Sequence, residues 1–155
     1  MQTTYSVAPT WTKEEKTSIL HISLQGLNVP GLMFALNLKT RTLSLLSEGP
    51  LLLMEQQLSV NEMHMLIPML ELFPHYCPYE VLLAHISSQT VNSASIERCR
   101  CVLQEAQSRG TWRQELRPIR RALSSLRTKL HFFGLEVSNI RERGCSLTSL
   151  ATRDS

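Results

Sequence analysis

The sequence predicts an α+β protein, and three observations carry that expectation. Short, partly alternating apolar stretches fill residues 19–54, and apolar residues at helical spacing then dominate 59–133. Two further short apolar stretches, 137–140 and 145–150, flank the charged turn Arg141-Glu142-Arg143-Gly144, the pattern of a hairpin. A sheet, a helical trunk and a closing hairpin follow in chain order.

The elements are assigned as follows. Residues 1–18 are polar, Thr-rich and without periodicity, and read as a flexible arm. Ile19 to Leu24 and Leu32 to Leu38 read as strands around the turn Asn28-Val29-Pro30-Gly31. Thr42 to Leu46 and Leu51 to Met54 are two more, separated by Ser47-Glu48-Gly49-Pro50, which completes a small antiparallel sheet over 19–57. Ser59 with Glu62 three residues on is a capping-box spacing, and Met63, Leu66, Ile67, Leu70 and Phe73 continue it as a helix. Pro68 is expected to kink or fray that helix, and Pro74 to end it.

A second, shorter helix follows Pro78, and a third is expected over 95–108, closed by Gly110. A fourth starts near 113–117, tolerates Pro118 in its first turn and stops at Gly134. The domain is thus expected over 19–150, with helices in 59–134, a hairpin in 135–150 and a tail at 151–155.

Composition excludes several classes. Of 155 residues, 43% are hydrophobic and 19% charged, as in an ordinary globular protein. No apolar run reaches the roughly 18–20 residues of a membrane span, so no membrane partner and a cytoplasmic location are expected. Cys77, Cys99, Cys101 and Cys145 read as reduced thiols, because the Cys-x-Cys pair lacks the second half of a zinc site. The five histidines are dispersed, and no catalytic triad order or phosphate loop is recognisable. No metal, cofactor or enzymatic activity is expected.

The charge is strongly asymmetric. Residues 111–143 hold eight Lys and Arg against three Glu, whereas residues 1–110 carry seven against nine. A net +5 packed into one short segment is the footprint of a surface for polyanions. At 100° per residue, Ile119, Ala122, Leu123, Leu126, Leu130 and Phe133 form one stripe. Arg117, Arg121, Ser124, Thr128 and His131 fall opposite, flanked by Arg120 and Arg127 on one side and Ser125 and Lys129 on the other. An outer face of guanidinium and hydroxyl groups without carboxylates suits a DNA groove. Arg141 and Arg143 at the hairpin tip suit the neighbouring backbone or minor groove.

The segments 119–130 and 135–147 resemble the C-terminal half of the winged-helix effector domain of OmpR-type response regulators. In that family an amphipathic recognition helix ends in Leu-Arg-x-Lys-Leu, matched here by Leu126 to Leu130, and runs into a Thr-Val-Arg-Gly-x-Gly-Tyr wing. Leu58-Ser-Val-Asn-Glu62 is similar to the family's Leu-Thr-x-x-Glu helix start, and the resemblance covers roughly 32–150.

It implies a winged helix-turn-helix with an N-terminal antiparallel sheet, a three-helix trunk with one inserted helix (95–108) and a C-terminal wing. It also implies DNA contacts at Arg117, Ala122, Ser124, Ser125, Arg127, Asn139 and Arg141. The chain departs from the family in four places. Ser124 and Ser125 stand where arginines are common, Arg120 and Arg121 replace an acidic and apolar pair, Glu142 and Cys145 replace the wing's Gly and Tyr, and the helix insertion is extra. No phosphoacceptor domain precedes the fold, so a conventional two-component regulator on one chain is not expected.

The resulting expectation is a transcriptional regulator that binds double-stranded DNA through 117–133 and a basic wing at 139–144. A second copy on DNA, and RNA polymerase or another regulator, are the further expected partners. The alternative is a protein-interaction module that keeps the scaffold without sequence-specific DNA binding. Arg127 has a second reading too, as a salt-bridge partner for Glu62 or Glu136.

Overall fold

The structure, a computed structural model, describes residues 19–22, 32–47 and 51–149. The expected arm at 1–18, the turn at 28–31, Glu48 to Pro50 and the tail at 151–155 lie outside the described residues. The chain is α+β. Four antiparallel strands, β1 (Ile19–Ile22), β2 (Leu32–Asn37), β3 (Thr42–Ser47) and β4 (Leu51–Gln57), form a meander in sequence order. Alternation holds in β1 and β3, and in β2 it is broken only by Ala35, which is buried between Phe34 and Leu36. Leu20 and Ile22, Phe34 and Leu36, and Leu43 and Leu45 are buried on one face. In β4 the alternation fails: the register slips between Leu45 and Leu46, and Leu51, Leu52, Leu53 and Met54 all remain exposed.

Helix α1 (Val60–Leu72) starts on the expected capping box. The Glu62 amide donates to Ser59 Oγ at 3.1 Å, and the Ser59 amide donates to Glu62 Oε1 at 2.7 Å. The helix runs through Pro68, which is fully buried in the core, and ends at Leu72, just before Pro74 as expected. Burial of Met65, Leu66, Met69 and Leu70 around it outweighs the single hydrogen bond that proline removes.

A two-residue strand, β5 (Cys77–Pro78), leads into α2 (Tyr79–Ser87), and α3 (Ser93–Arg109) packs against α2. Helix α3 is longer than the expected 95–108. Asn92 caps it through a reciprocal pair with Ser95, and Gly110 closes it at φ 79°. The single helix expected to begin near 113–117 is two: a turn, α4 (Trp112–Glu115), and then α5 (Arg117–His131). Pro118 explains the break, since it offers no amide to the Gln114 carbonyl and its ring crowds that oxygen. The segment after α2 thus holds both α3 and the short α4, and α5 ends two residues before Phe133.

Strands β6 (Leu135–Ile140) and β7 (Gly144–Ser149) form the expected hairpin, and β5 adds to it in the order β5-β7-β6. Gly144 permits that addition, because a Cβ there would lie 1.9 Å from the Cys77 carbonyl oxygen. The core is continuous from the four-stranded sheet through α1 and α5 to the hairpin. Phe34 meets Phe133 edge-on at 5.9 Å, packing β2 against the turn that follows α5. Among the described residues no helix is long and apolar enough to cross a membrane.

Candidate nucleic-acid interface

The two faces expected for α5 are both present. Ile119, Ala122, Leu123, Leu126 and Leu130 are buried, with Phe133 just beyond, while Arg117, Arg120, Arg121, Ser124, Thr128 and His131 are exposed. No acidic side chain occurs anywhere along the helix. Ion pairs among the described residues engage Glu62, Glu80, Glu97 and Glu105, and none involves Arg117, Arg120, Arg121, Arg141 or Arg143. These five guanidinium groups are therefore available to an external anion.

The remaining sequence-predicted residues serve the scaffold as well. Lys129 Nζ donates to Glu62 Oε1 and to the Gln57 carbonyl, both at 2.7 Å, and so ties α5 to α1 and to the end of β4. Glu62 is only 2% exposed. Burial by itself raises its pKa, but bonds from Lys129, Ser125 and the Ser59 amide, with the Lys129 charge, outweigh that and hold the carboxyl below its usual range. The ion-pair reading of Arg127 with Glu62 is thus corrected, because Lys129 is the partner. The Ser125 hydroxyl is turned back too, donating to the Ala122 carbonyl at 3.3 Å and facing Glu62.

Arg127 instead joins helix to hairpin. Its Nε donates to the Val137 carbonyl at 3.4 Å, and a terminal nitrogen donates to Asn139 Oδ1 at 2.8 Å. The same oxygen accepts from Cys145 Sγ at 3.4 Å. Burial pushes the Cys145 thiol up to about 11 and also raises Tyr79, which is hydrogen-bonded to it. Cys77 lies opposite Cys145 in the β5–β7 register, and both are free, fully buried thiols. The Cys145–Asn139–Arg127 chain links the hairpin to α5.

The hairpin tip carries Arg141, Glu142 and Arg143, all exposed. The Arg143 amide donates to the Ile140 carbonyl at 2.9 Å, and the Arg143 carbonyl accepts from the Tyr79 amide at 2.9 Å. Glu142 sits at φ 59°, a left-handed conformation that glycine adopts at lower cost. Glu142 is therefore a strained turn residue.

A cleft of about 670 Å³ opens between α4, α5 and the hairpin tip. It is lined by Arg113, Arg120, Arg127 and Arg141, with Tyr79 and Trp112 meeting edge-on at 6.1 Å. Sequence reading missed this cleft. Trp112 reads as a packing residue in the sequence, Arg113 only as part of the basic excess, and Tyr79 carries no signal at all.

The Cys-x-Cys pair is not brought together, since Cys99 faces the core and Cys101 faces outward on the same helix. Among the described residues no group of three or more His, Cys, Asp or Glu is placed to hold a metal ion. Comparison with family models, with curated proteins and with solved structures finds no match for this chain.

Proposed function

We propose that the chain is a winged-helix protein that binds double-stranded DNA as a transcriptional regulator, with α5 in the major groove and the β6–β7 hairpin as the wing. The observation that carries this reading is the outer face of α5. It presents Arg117, Arg120, Arg121, Ser124 and Thr128 without a carboxylate, beside a hairpin tip bearing Arg141 and Arg143. In this reading Arg117, Arg121, Ser124 and Thr128 face base edges, because Arg pairs with guanine O6 and N7 and hydroxyls accept or donate at several edges. Arg120, Arg141 and Arg143 neutralise phosphates and set register. Arg127 and Asn139 hold helix and wing at a fixed angle while presenting their outer atoms to the same backbone. Ser125, bound internally, contributes through α5's position. A second copy on DNA is part of the proposal, since one such module offers a small interface.

The test is selection of genomic duplex fragments by the purified chain at two salt concentrations. Enrichment of one motif, weakened by added salt, is the expected result. A protein-interaction module on the same scaffold is the second reading, and the exposed apolar run Leu51 to Met54 favours it. Recovery of no motif at either salt concentration would replace the first reading with the second.

A further inference from the structure

We propose that the cleft between α4, α5 and the hairpin tip is a binding site for a small aromatic phosphate, a flat ring of mononucleotide size carrying one phosphate group. Four guanidinium groups converge on it, from Arg113, Arg120, Arg127 and Arg141, against the single carboxylate of Glu142. None of the four forms an ion pair among the described residues. Arg127 uses Nε and one terminal nitrogen on Val137 and Asn139, which orients its remaining donors. Convergent, uncompensated guanidinium groups repel one another, and a phosphate relieves that repulsion through paired, charge-assisted hydrogen bonds.

The floor of the cleft points beyond a bare anion. Leu116 and Leu123 are buried beneath it, and the half-buried Tyr79 and Trp112 stand nearly perpendicular at 80°. A backbone phosphodiester crossing the rim has no use for an apolar, aromatic base, whereas a flat ring does. The volume, about 670 Å³, lies within the range of small-molecule sites. Ring on the floor and phosphate at the arginine rim is the arrangement that uses every wall. Because Arg120, Arg127 and Arg141 also belong to the proposed DNA face, ligand and duplex compete; that consequence alone rests on the DNA-binding reading.

The test is calorimetric titration of the full chain with 1-naphthyl phosphate, with inorganic phosphate and 1-naphthol as separate arms. One saturable site is expected for the aryl phosphate, binding at least about tenfold tighter than either fragment, as two contact types on one ligand require. Arg120→Gln and Arg141→Gln, both at exposed positions and checked for an unchanged circular dichroism spectrum, should each weaken it roughly tenfold, the loss of one charged hydrogen bond. Arg109→Gln, on α3, should not change it. Absence of saturation by about 5 mM would overturn the proposal. So would equal binding of inorganic phosphate, or equal loss in Arg109→Gln and Arg120→Gln. Duplex binding by the same samples is scored separately: its absence would remove the competition and the DNA reading while leaving the cleft intact.

Discussion

The α5–hairpin unit and the four-stranded sheet each bury one apolar face, yet they expose opposite chemistry. On α5 the outward positions are Arg, Ser and Thr, with further arginines at the hairpin tip. On β4, Leu51 is 63% and Leu52 51% exposed at a sheet edge that carries no charge until Glu55. A charged outer face is fully hydrated and costs the fold little, whereas an uncharged apolar edge is a feature that soluble proteins ordinarily blunt. In the reading proposed above, the contrast would match two surfaces to two kinds of partner: an anion at one end and an apolar surface or strand at the other.

The largest expected effect comes from breaking the unit that holds the basic face in shape. Gly144→Val places a side chain against the Cys77 carbonyl, separates β5 from β7, and should cost more than about 3 kcal/mol in denaturant unfolding. The sheet meander does not touch that contact, so Gly→Val stability loss should leave β1–β4 amides the last to exchange with deuterium.

Glu62→Ala comes next, at about 3 kcal/mol, because it removes a cap and strands Lys129 without a counter-charge. The pH dependence has a definite sign. The folded carboxyl titrates below the usual 4.5, so its stabilisation is complete above that value and disappears as pH falls through the lower, folded one. Glu71, raised by burial, acts in the opposite sense, so the comparison of wild type with Glu62→Gln isolates the difference. Denaturant unfolding midpoints of the two proteins should converge at low pH and diverge as pH rises toward neutrality.

Much of the α5 unit was legible because its signals are local. The apolar stripe of Ile119 to Leu130 follows helical spacing, and the Ser59–Glu62 box lies within four residues. Strand β5 was not legible, since two residues have no period and Cys77 finds Cys145 only through the fold. The Glu62–Lys129 pair, 67 residues apart, leaves no local signal, and the sequence suggests only Arg127 as a partner for Glu62. The cleft belongs to the same class, being assembled from α2, α4, α5 and the hairpin tip. The exposure of β4 was hidden by its composition, because Leu-Leu-Leu-Met reads as core until the register slip turns it outward.

Smaller effects sharpen the contrast. Glu142→Gly relieves a left-handed turn and should raise stability by about 0.5–1 kcal/mol in thermal unfolding. It also removes the only carboxylate that lines the cleft among the described residues, so affinity for any anion there should rise with it. Leu52→Lys should change folding stability by no more than about 0.5 kcal/mol, because the side chain is half exposed already. Sedimentation should show less self-association than wild type, while binding at the basic face persists. Equal self-association in both proteins would mean that β4 is not an interaction edge.

The most direct test is the affinity of the chain for its selected duplex as a function of salt, measured for wild type, Arg121→Ala and Arg143→Ala. Arg121→Ala should lose about 1–3 kcal/mol on the selected duplex and far less on a scrambled one. Arg143→Ala should weaken both duplexes alike and reduce the slope of log affinity against log salt by about one. Affinities and slopes identical in all three proteins would contradict the assignment of α5 and the hairpin tip to DNA.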